Sequence, residues 1–309
     1  MNKKLVVGAG FAVAAVMALA GVHYRESKPA RFARLAWTRD SHCSLAATWR
    51  ALGANQRLWD RIDEIAGDTE LVETSPDGFE LVSAGERRFW VPRGSGAGIA
   101  EMLGEQEMDV YGAGWGVRPG DVVLDFGANV GVFTRHALER GAKLVVAIEL
   151  APENIACLRR NFATAIQAGR VIVYPKGVWD KDDVLQLRTQ VLSGGDSVAL
   201  RFPGSSEGAR VPLTTIDKLT AELRLDRVDF IKMDIEGAER RALAGAVQTV
   251  ARFHPRLAIS MEHQSDDAEA IPALVARLWH GSRAECGPCT WIHTAFINRV
   301  APEELYVRP

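Results

Sequence analysis

The sequence predicts an α/β fold, a mostly parallel sheet with helices on both faces, behind a membrane-directed segment and a small helical and hairpin lead-in. From Val122 onward, short apolar runs alternate with helical stretches, the pattern of parallel strands joined by crossover helices. Those runs carry no polar alternation, as expected of strands covered on both faces. Glycine and acidic residues stand directly behind them, where open α/β sheets bind their ligands. The 309 residues, 47% hydrophobic and 25% charged, have the balance of a globular protein and exclude a disordered chain. With 37 basic and 39 acidic side chains the net charge is −2, which argues against a cationic surface for nucleic acid. Four cysteines, Cys43, Cys157, Cys286 and Cys289, are too few for a disulfide scaffold.

The chain begins with a short basic start, Lys3-Lys4, and an uncharged stretch from Leu5 to Val22. As a helix this stretch rises ~27 Å, close to the ~30 Å of a bilayer core. Ala18-Leu19-Ala20 fits a signal cleavage site. The basic flank Arg25, Lys28, Arg31 and Arg34 outweighs Lys3 and Lys4, which favours a retained single-pass anchor in the inner membrane with the body in the cytoplasm. Export after cleavage near Ala20 is the alternative. Residues 1–24 are therefore expected as the anchor or signal, 25–110 as the lead-in, and 111–309 as the main domain.

Within the lead-in, Leu35, Leu45, Trp49, Leu52, Leu58 and Ile62 recur at three- and four-residue spacings and predict helix over 30–67. Its tryptophans, Trp37, Trp49 and Trp59, pack on the domain or rest on anionic lipid. Asp77-Gly78 between alternating runs predicts a hairpin over 77–91, and Gly94 to Gly98 is a loop before a helix around 99–111. In the main domain, strands are expected at 122–126, 144–148, 170–174, 228–233 and 257–261. Gly141 ends the first helix and Pro152 opens the next.

The chemistry lies at the strand ends. Gly127, Asn129 and Gly131 form the first turn, where glycine lets the backbone approach a ligand and the following helix offers free N–H groups. Glu149 follows Asp125 by 24 residues and ends the second strand, where an acid takes the hydroxyls of a ribose. A dinucleotide and S-adenosylmethionine share that geometry. Asp125 separates them, because an acid at the strand end repels a pyrophosphate and attracts a cationic ligand. The D-x-G-x-N-x-G turn resembles the first motif of class I S-adenosylmethionine-dependent methyltransferases. The string Lys232-Met233-Asp234-Ile235-Glu236-Gly237-Ala238-Glu239 has a K-x-D-x-E-G-x-E form. With Thr215-Ile216-Asp217-Lys218-Leu219 before it, the stretch from Asp77 to Gln264 is similar to the FkbM-type methyltransferase family.

That resemblance implies a Rossmann-like, seven-stranded sheet and O-methylation of a sugar, glycan or polyketide-like acceptor. By position, Asp125, Gly127, Asn129 and Gly131 would line the methionine part of the cofactor, Glu149 the ribose, and Val178 and Trp179 the adenine. The acceptor hydroxyl must also lose a proton, which requires a base or a metal. Asp234, Glu236, Glu239, Asp217 and His263 are candidates. Ionisable Lys232, Asp234 and Glu236 on one side of a strand are costly unless paired or used. Asp234 and Glu236 are also the candidate ligands of a divalent cation, Mg²⁺ or Mn²⁺. A non-catalytic cofactor- or nucleotide-binding, membrane-tethered module is the competing reading. Cys286-Gly287-Pro288-Cys289 has thioredoxin spacing, but a strand-like run follows it, so it reads as a turn with incidental cysteines. His280 and His293 do not complete a zinc pattern with it.

Overall fold

A computed structural model describes residues 28–112, 114–189, 196–200, 206–293 and 298–309. Helices α1 (Lys28–Thr38) and α2 (Leu45–Gly67) lead into an antiparallel sheet of β1 (Thr69–Thr74), β2 (Phe79–Ala84) and β3 (Arg87–Pro92), then helix α3 (Gly98–Glu107). Ser44 starts α2, its hydroxyl accepting from Ala47 N–H.

The main domain alternates β4 (Val122–Phe126), α4 (Val132–Glu139), β5 (Leu144–Ile148), α5 (Pro152–Asn161), α6 (Ala163–Gln167) and β6 (Val171–Tyr174). Strands β7 (Gly177–Val178), β8 (Asp183–Thr189) and β9 (Ser206–Thr214) form a separate small sheet. The chain returns through α7 (Ile216–Glu222), β10 (Phe230–Met233), α8 (Glu239–Ala244), α9 (Val247–Phe253), β11 (Arg256–Ser260) and α10 (Asp267–Leu278). It ends in β12 (Arg283–Cys286), β13 (Cys289–His293), β14 (Asn298–Pro302) and β15 (Glu304–Arg308).

The large sheet has seven strands in the order β12-β15-β11-β10-β4-β5-β6. Its five core strands run parallel, while β15 pairs antiparallel with both β11 and β12, so the sheet is mixed at one edge. All residues of β4, β10 and β11 are buried, which explains their unbroken apolar character. From β4 the chain winds outward through β5 and β6, then crosses back to β10 on the other side. The crevice between the carboxyl ends of β4 and β10 is thus the topological switch point.

The lead-in packs directly on this sheet. Ile62 and Ile65 of α2, Phe89 and Val91 of β3, and Ile99 and Leu103 of α3 share a core with Val130, Val132 and Cys157. Asn161 of α5 binds both backbone groups of Trp90 and the carbonyl of Val130. On the opposite side, Asn55 of α2 exchanges hydrogen bonds with the backbone of Trp291, and Cys43 forms a disulfide with Cys289. Cys289 is therefore structural, which corrects its reading as incidental. This bond closes a separation of 246 residues. Losing a native disulfide costs ~2–5 kcal/mol. Dithiothreitol is expected to lower stability in urea unfolding by that amount, and Cys43→Ser should abolish the sensitivity to reductant.

The anchor needs correction. No helix among the described residues is long and apolar enough to cross a membrane. The stretch 5–22 lies outside the described residues. A single-pass inner-membrane anchor with a cytoplasmic body, and a membrane partner through it, therefore have no support in the fold. Of the tryptophans, Trp37 stands almost wholly exposed, while Trp49 meets Phe32 edge-on and lies under the Lys28 ammonium.

Candidate active site

A cavity of about 370 Å³ opens at the switch point. Its floor is the turn after β4, its walls are the ends of β5 and β10, and its roof is α3. Asn129 and Gly127 line it, both with positive φ (49° and 77°). Asp125 lies one layer below, fully buried, with Oδ2 accepting from the Thr134 hydroxyl at 2.6 Å. Gly131 faces away from the cavity onto Phe162 and Leu158. The methionine-side expectation therefore divides into two lining residues and two supporting ones.

At the end of β5, Glu149 accepts three backbone N–H groups, from Asn129, Leu150 and Ala151, each at 2.8 Å. Burial dominates those hydrogen bonds and pushes its carboxyl up to about 7. Val178 lines the same end of the cavity, beside Leu150 and Gly177. Trp179 does not: it packs on Ala151, Leu187 and Leu213 and carries the Arg241 guanidinium over its ring, a packing role that the sequence left open.

Beyond β10 stand the acceptor-side candidates. Strand β10 stops at Met233, so Asp234 and Glu236 belong to the turn and not to the strand alternation expected for them. Glu236 adopts φ +54° in that turn. Lys232 Nζ is 3.5 Å from Asp234 and 3.8 Å from Asp125, and donates to the carbonyl of Gly127. Burial works against the Lys232 charge, yet Asp234, Asp125 and Glu105 together hold its ammonium above the ordinary range. Burial likewise opposes ionisation of Asp234, but Lys232 and His263 outweigh it and keep that carboxyl below the ordinary range. The Tyr111 hydroxyl donates to Asp234 Oδ2 at 2.8 Å. Burial raises Glu236 to about 8, despite His263.

His263, after β11, reaches the same turn. Its Nε2 lies 3.5 Å from Asp234 and 3.6 Å from Glu236, and its Nδ1 lies 3.1 Å from Glu239. Burial lowers the imidazolium, but the three carboxylates win and raise it well above its ordinary value. Glu239 Oε1 accepts from Ile235 N–H and Gly237 N–H, fixing the turn that carries Glu236. Asp217 is far from this chemistry: its carboxylate accepts from Gln248 and Thr249 N–H at the start of α9, and Thr215 caps α7. That corrects its place among the candidate bases.

Sequence reasoning missed the roof. Glu101 and Glu105, one helical turn apart on α3, line the cavity with Tyr111, and Glu262 closes it from β11. Burial, then neighbouring carboxylates, lift Glu105 and Glu262 well above the ordinary range. The only signal was the one-turn spacing of two acids on a helix with an otherwise apolar face. Of the other motifs, no cluster of metal-ligating groups forms around Cys286, His280 or His293 among the described residues.

A Rossmann-like sheet with a glycine turn after β4 and a buried acid after β5 is the geometry of a nucleoside-bearing cofactor site, shared by class I methyltransferases and dinucleotide-binding proteins. Residues 125–287 match the family model described as the methyltransferase FkbM domain. The chain belongs to that family, for which S-adenosylmethionine is the expected methyl donor. The 31-O-demethyl-FK506 methyltransferase FkbM of Streptomyces tacrolimicus is 32% identical over 157 residues, covering 42% of this chain and 60% of that protein. The crystal structure of methyltransferase FkbM from Methylobacillus flagellatus KT is similar with a TM-score of 0.44 at 19% identity, covering 83% of this chain and 60% of that one. The crystal structure of M. jannaschii TYW2 in complex with AdoMet aligns with a TM-score of 0.38 at 13% identity, over 76% of this chain and 86% of that one. The chain thus spans about three fifths of the first two proteins.

Proposed function

We propose that this protein transfers a methyl group from S-adenosylmethionine to a hydroxyl oxygen of a sugar, glycan or polyketide-like small molecule. The observation that carries the reading is a single cavity lined by the Gly127 turn and Glu149 together with Asp234 and Glu236. The residues present fit the donor: Gly127 and Asn129, both in the left-handed backbone region, line the cavity, and Glu149 offers an acid beside them. Gly127, Asn129, Glu149 and Val178 would hold the cofactor, with Asp125 supporting the turn from below. S-adenosylmethionine supplies the methyl as a sulfonium, whose sulfur keeps the electron pair when the methyl leaves.

The chain has three tasks: to align the acceptor oxygen with the methyl carbon, exclude water and take the hydroxyl proton. Asp234, held ionised by Lys232 and positioned by Tyr111, and Glu236 beside it are the groups placed to accept that proton. The same carboxylates provide oxygen ligands of the kind a divalent cation prefers. The roof adds Glu101, Glu105 and Glu262, whose carboxyl groups offer hydrogen-bond partners for the hydroxyl groups of a polyol. The name of the Streptomyces relative, a 31-O-demethyl-FK506 methyltransferase, supports oxygen as the accepting atom. On this reading residues 111–309 form the transferase domain and residues 25–110 its cap. Incubation with labelled S-adenosylmethionine and a panel of sugars and macrolides should yield S-adenosylhomocysteine and a labelled methyl ether. Label appearing only on nitrogen acceptors would refute it.

Ribose binding to Glu149 requires the ionised carboxylate. With its carboxyl near 7, lowering the pH from 8 to 6 neutralises this group before the cofactor binds. The cofactor dissociation constant is expected to rise about tenfold over that interval, one decade per unit below the transition. Calorimetric titrations should show the rise, and Glu149→Gln should give weak, pH-independent binding.

A further inference from the structure

We infer that Asp234, Glu236 and His263 form a site for one divalent transition-metal cation, best matched to Mn²⁺, at the acceptor end of the cavity. The inference deepens the proposed function, resting on the assignment of this end to the acceptor. One ligand atom from each residue converges, all within 4.8 Å of one another. His263 Nε2 stands 3.5 and 3.6 Å from its two carboxylate neighbours, and no hydrogen bond links them. Neighbouring ligands around an octahedral ion with ~2.1 Å bonds lie ~3 Å apart, so a shift of about half an ångström would bring the imidazole to ligand spacing from each carboxylate, the two carboxylates themselves closing from within 4.8 Å.

The imidazole sets this group apart from a plain acidic cluster. Its side chain is only 7% exposed, and it is aimed between the two carboxylates. Nδ1 makes no hydrogen bond in this conformation, and Glu239 Oε2 is also a buried oxygen without one. Yet Glu239 Oε1 stands 3.1 Å from Nδ1, close enough for the ring to turn onto it. A carboxylate behind a histidine is the arrangement that orients a metal-ligating imidazole and raises its basicity. Glu239 is therefore a positioning residue, itself tethered by Ile235 N–H and Gly237 N–H. One nitrogen with two carboxylate oxygens favours Mn²⁺ over Mg²⁺ and Ca²⁺, whose preferred ligands are all oxygen. The open coordination positions would face the cavity, where an acceptor hydroxyl and a neighbouring oxygen could chelate the ion. A cation there stabilises the deprotonated hydroxyl.

A second group of similar make-up, Asp40, His42 and Glu269, provides the control. Asp40 is already bound to His42 and paired with Arg299, so its oxygens are occupied.

The test uses the full chain, stripped with EDTA and titrated with MnCl₂, following free Mn²⁺ by electron paramagnetic resonance. One site is expected, weakened at least tenfold by Glu236→Gln or His263→Gln, about tenfold by Glu239→Gln, and unchanged by His42→Gln. Pulsed measurements on the unmodified protein should show ¹⁴N coupling from an imidazole ligand, a readout that needs no variant to fold. Calorimetry with S-adenosylhomocysteine on each sample tests the cofactor end separately. Absence of a Mn²⁺ site, absence of nitrogen coupling, or loss of binding in His42→Gln would overturn the metal site. If S-adenosylhomocysteine still bound in those cases, the transferase reading would stand without it. Mn²⁺ binding with no affinity for S-adenosylhomocysteine would support the metal site and undo the transferase reading instead.

Discussion

Gly127→Val is expected to abolish cofactor binding and to lower the melting temperature by about 10 °C. Gly127 has φ +77°, and a Cβ built there would overlap the carbonyl oxygen of Asp234. That oxygen is backbone, held by the turn after β10, so no side-chain rotation relieves the overlap. The left-handed conformation adds ~1–2 kcal/mol for an L-residue and forced overpacking a further ~1–3 kcal/mol. At ~2–4 °C per kcal/mol for a domain of this size, the sum gives the stated shift. The displaced turn also carries Asn129, whose N–H binds Glu149, so the cofactor end is disturbed at two points. Thermal unfolding with and without S-adenosylhomocysteine checks both effects; an unchanged midpoint and full ligand stabilisation would contradict them.

Asp234→Asn should reduce turnover about 10²-fold or more while leaving cofactor affinity within twofold, the usual weight of a positioned proton-transfer group. Asparagine keeps the shape and still accepts the Tyr111 hydroxyl, but it removes the charge that faces the acceptor. Lys232 retains Asp125 as a partner, so the buried ammonium is not left alone. The effect should therefore fall on kcat and not on folding. Full activity on an authentic acceptor would remove Asp234 from the chemistry.

How far the sequence was legible follows from how each element is stabilised. Strands β4, β5, β10 and β11 were readable because burial on both faces demands an unbroken apolar run, and only their ends moved by a residue or two. Position relative to those strands was enough to bring Gly127, Glu149 and Asp234 to one rim, where they line the cavity. Trp179 follows the end of β7 and packs against Ala151, Leu187 and Leu213 instead of lining the cavity as Val178 does, a difference that only tertiary packing decides. Glu105, Tyr111 and Glu262 were invisible as site residues, since each comes from a different element and only tertiary packing unites them. The Cys43–Cys289 bond was hidden for the same reason, its partners lying in the first and last parts of the described chain. Asp217 shows the opposite failure, a motif acid whose work is to cap a helix.

The roof helix α3 has one more implication. Every residue that it and Tyr111 contribute to the cavity precedes residue 125, where the match to the family model begins. The family match therefore covers the turns that carry Gly127, Glu149, Asp234 and His263, and does not extend to the roof helix. Two proteins of this kind could share the donor machinery residue for residue and still differ in what they methylate, through the few side chains of one short helix. Because α3 is packed on α2, and α2 is tied to β13 by Asn55 and by the Cys43–Cys289 bond just ahead of it, the roof of the cavity is fastened to the last strands of the described chain.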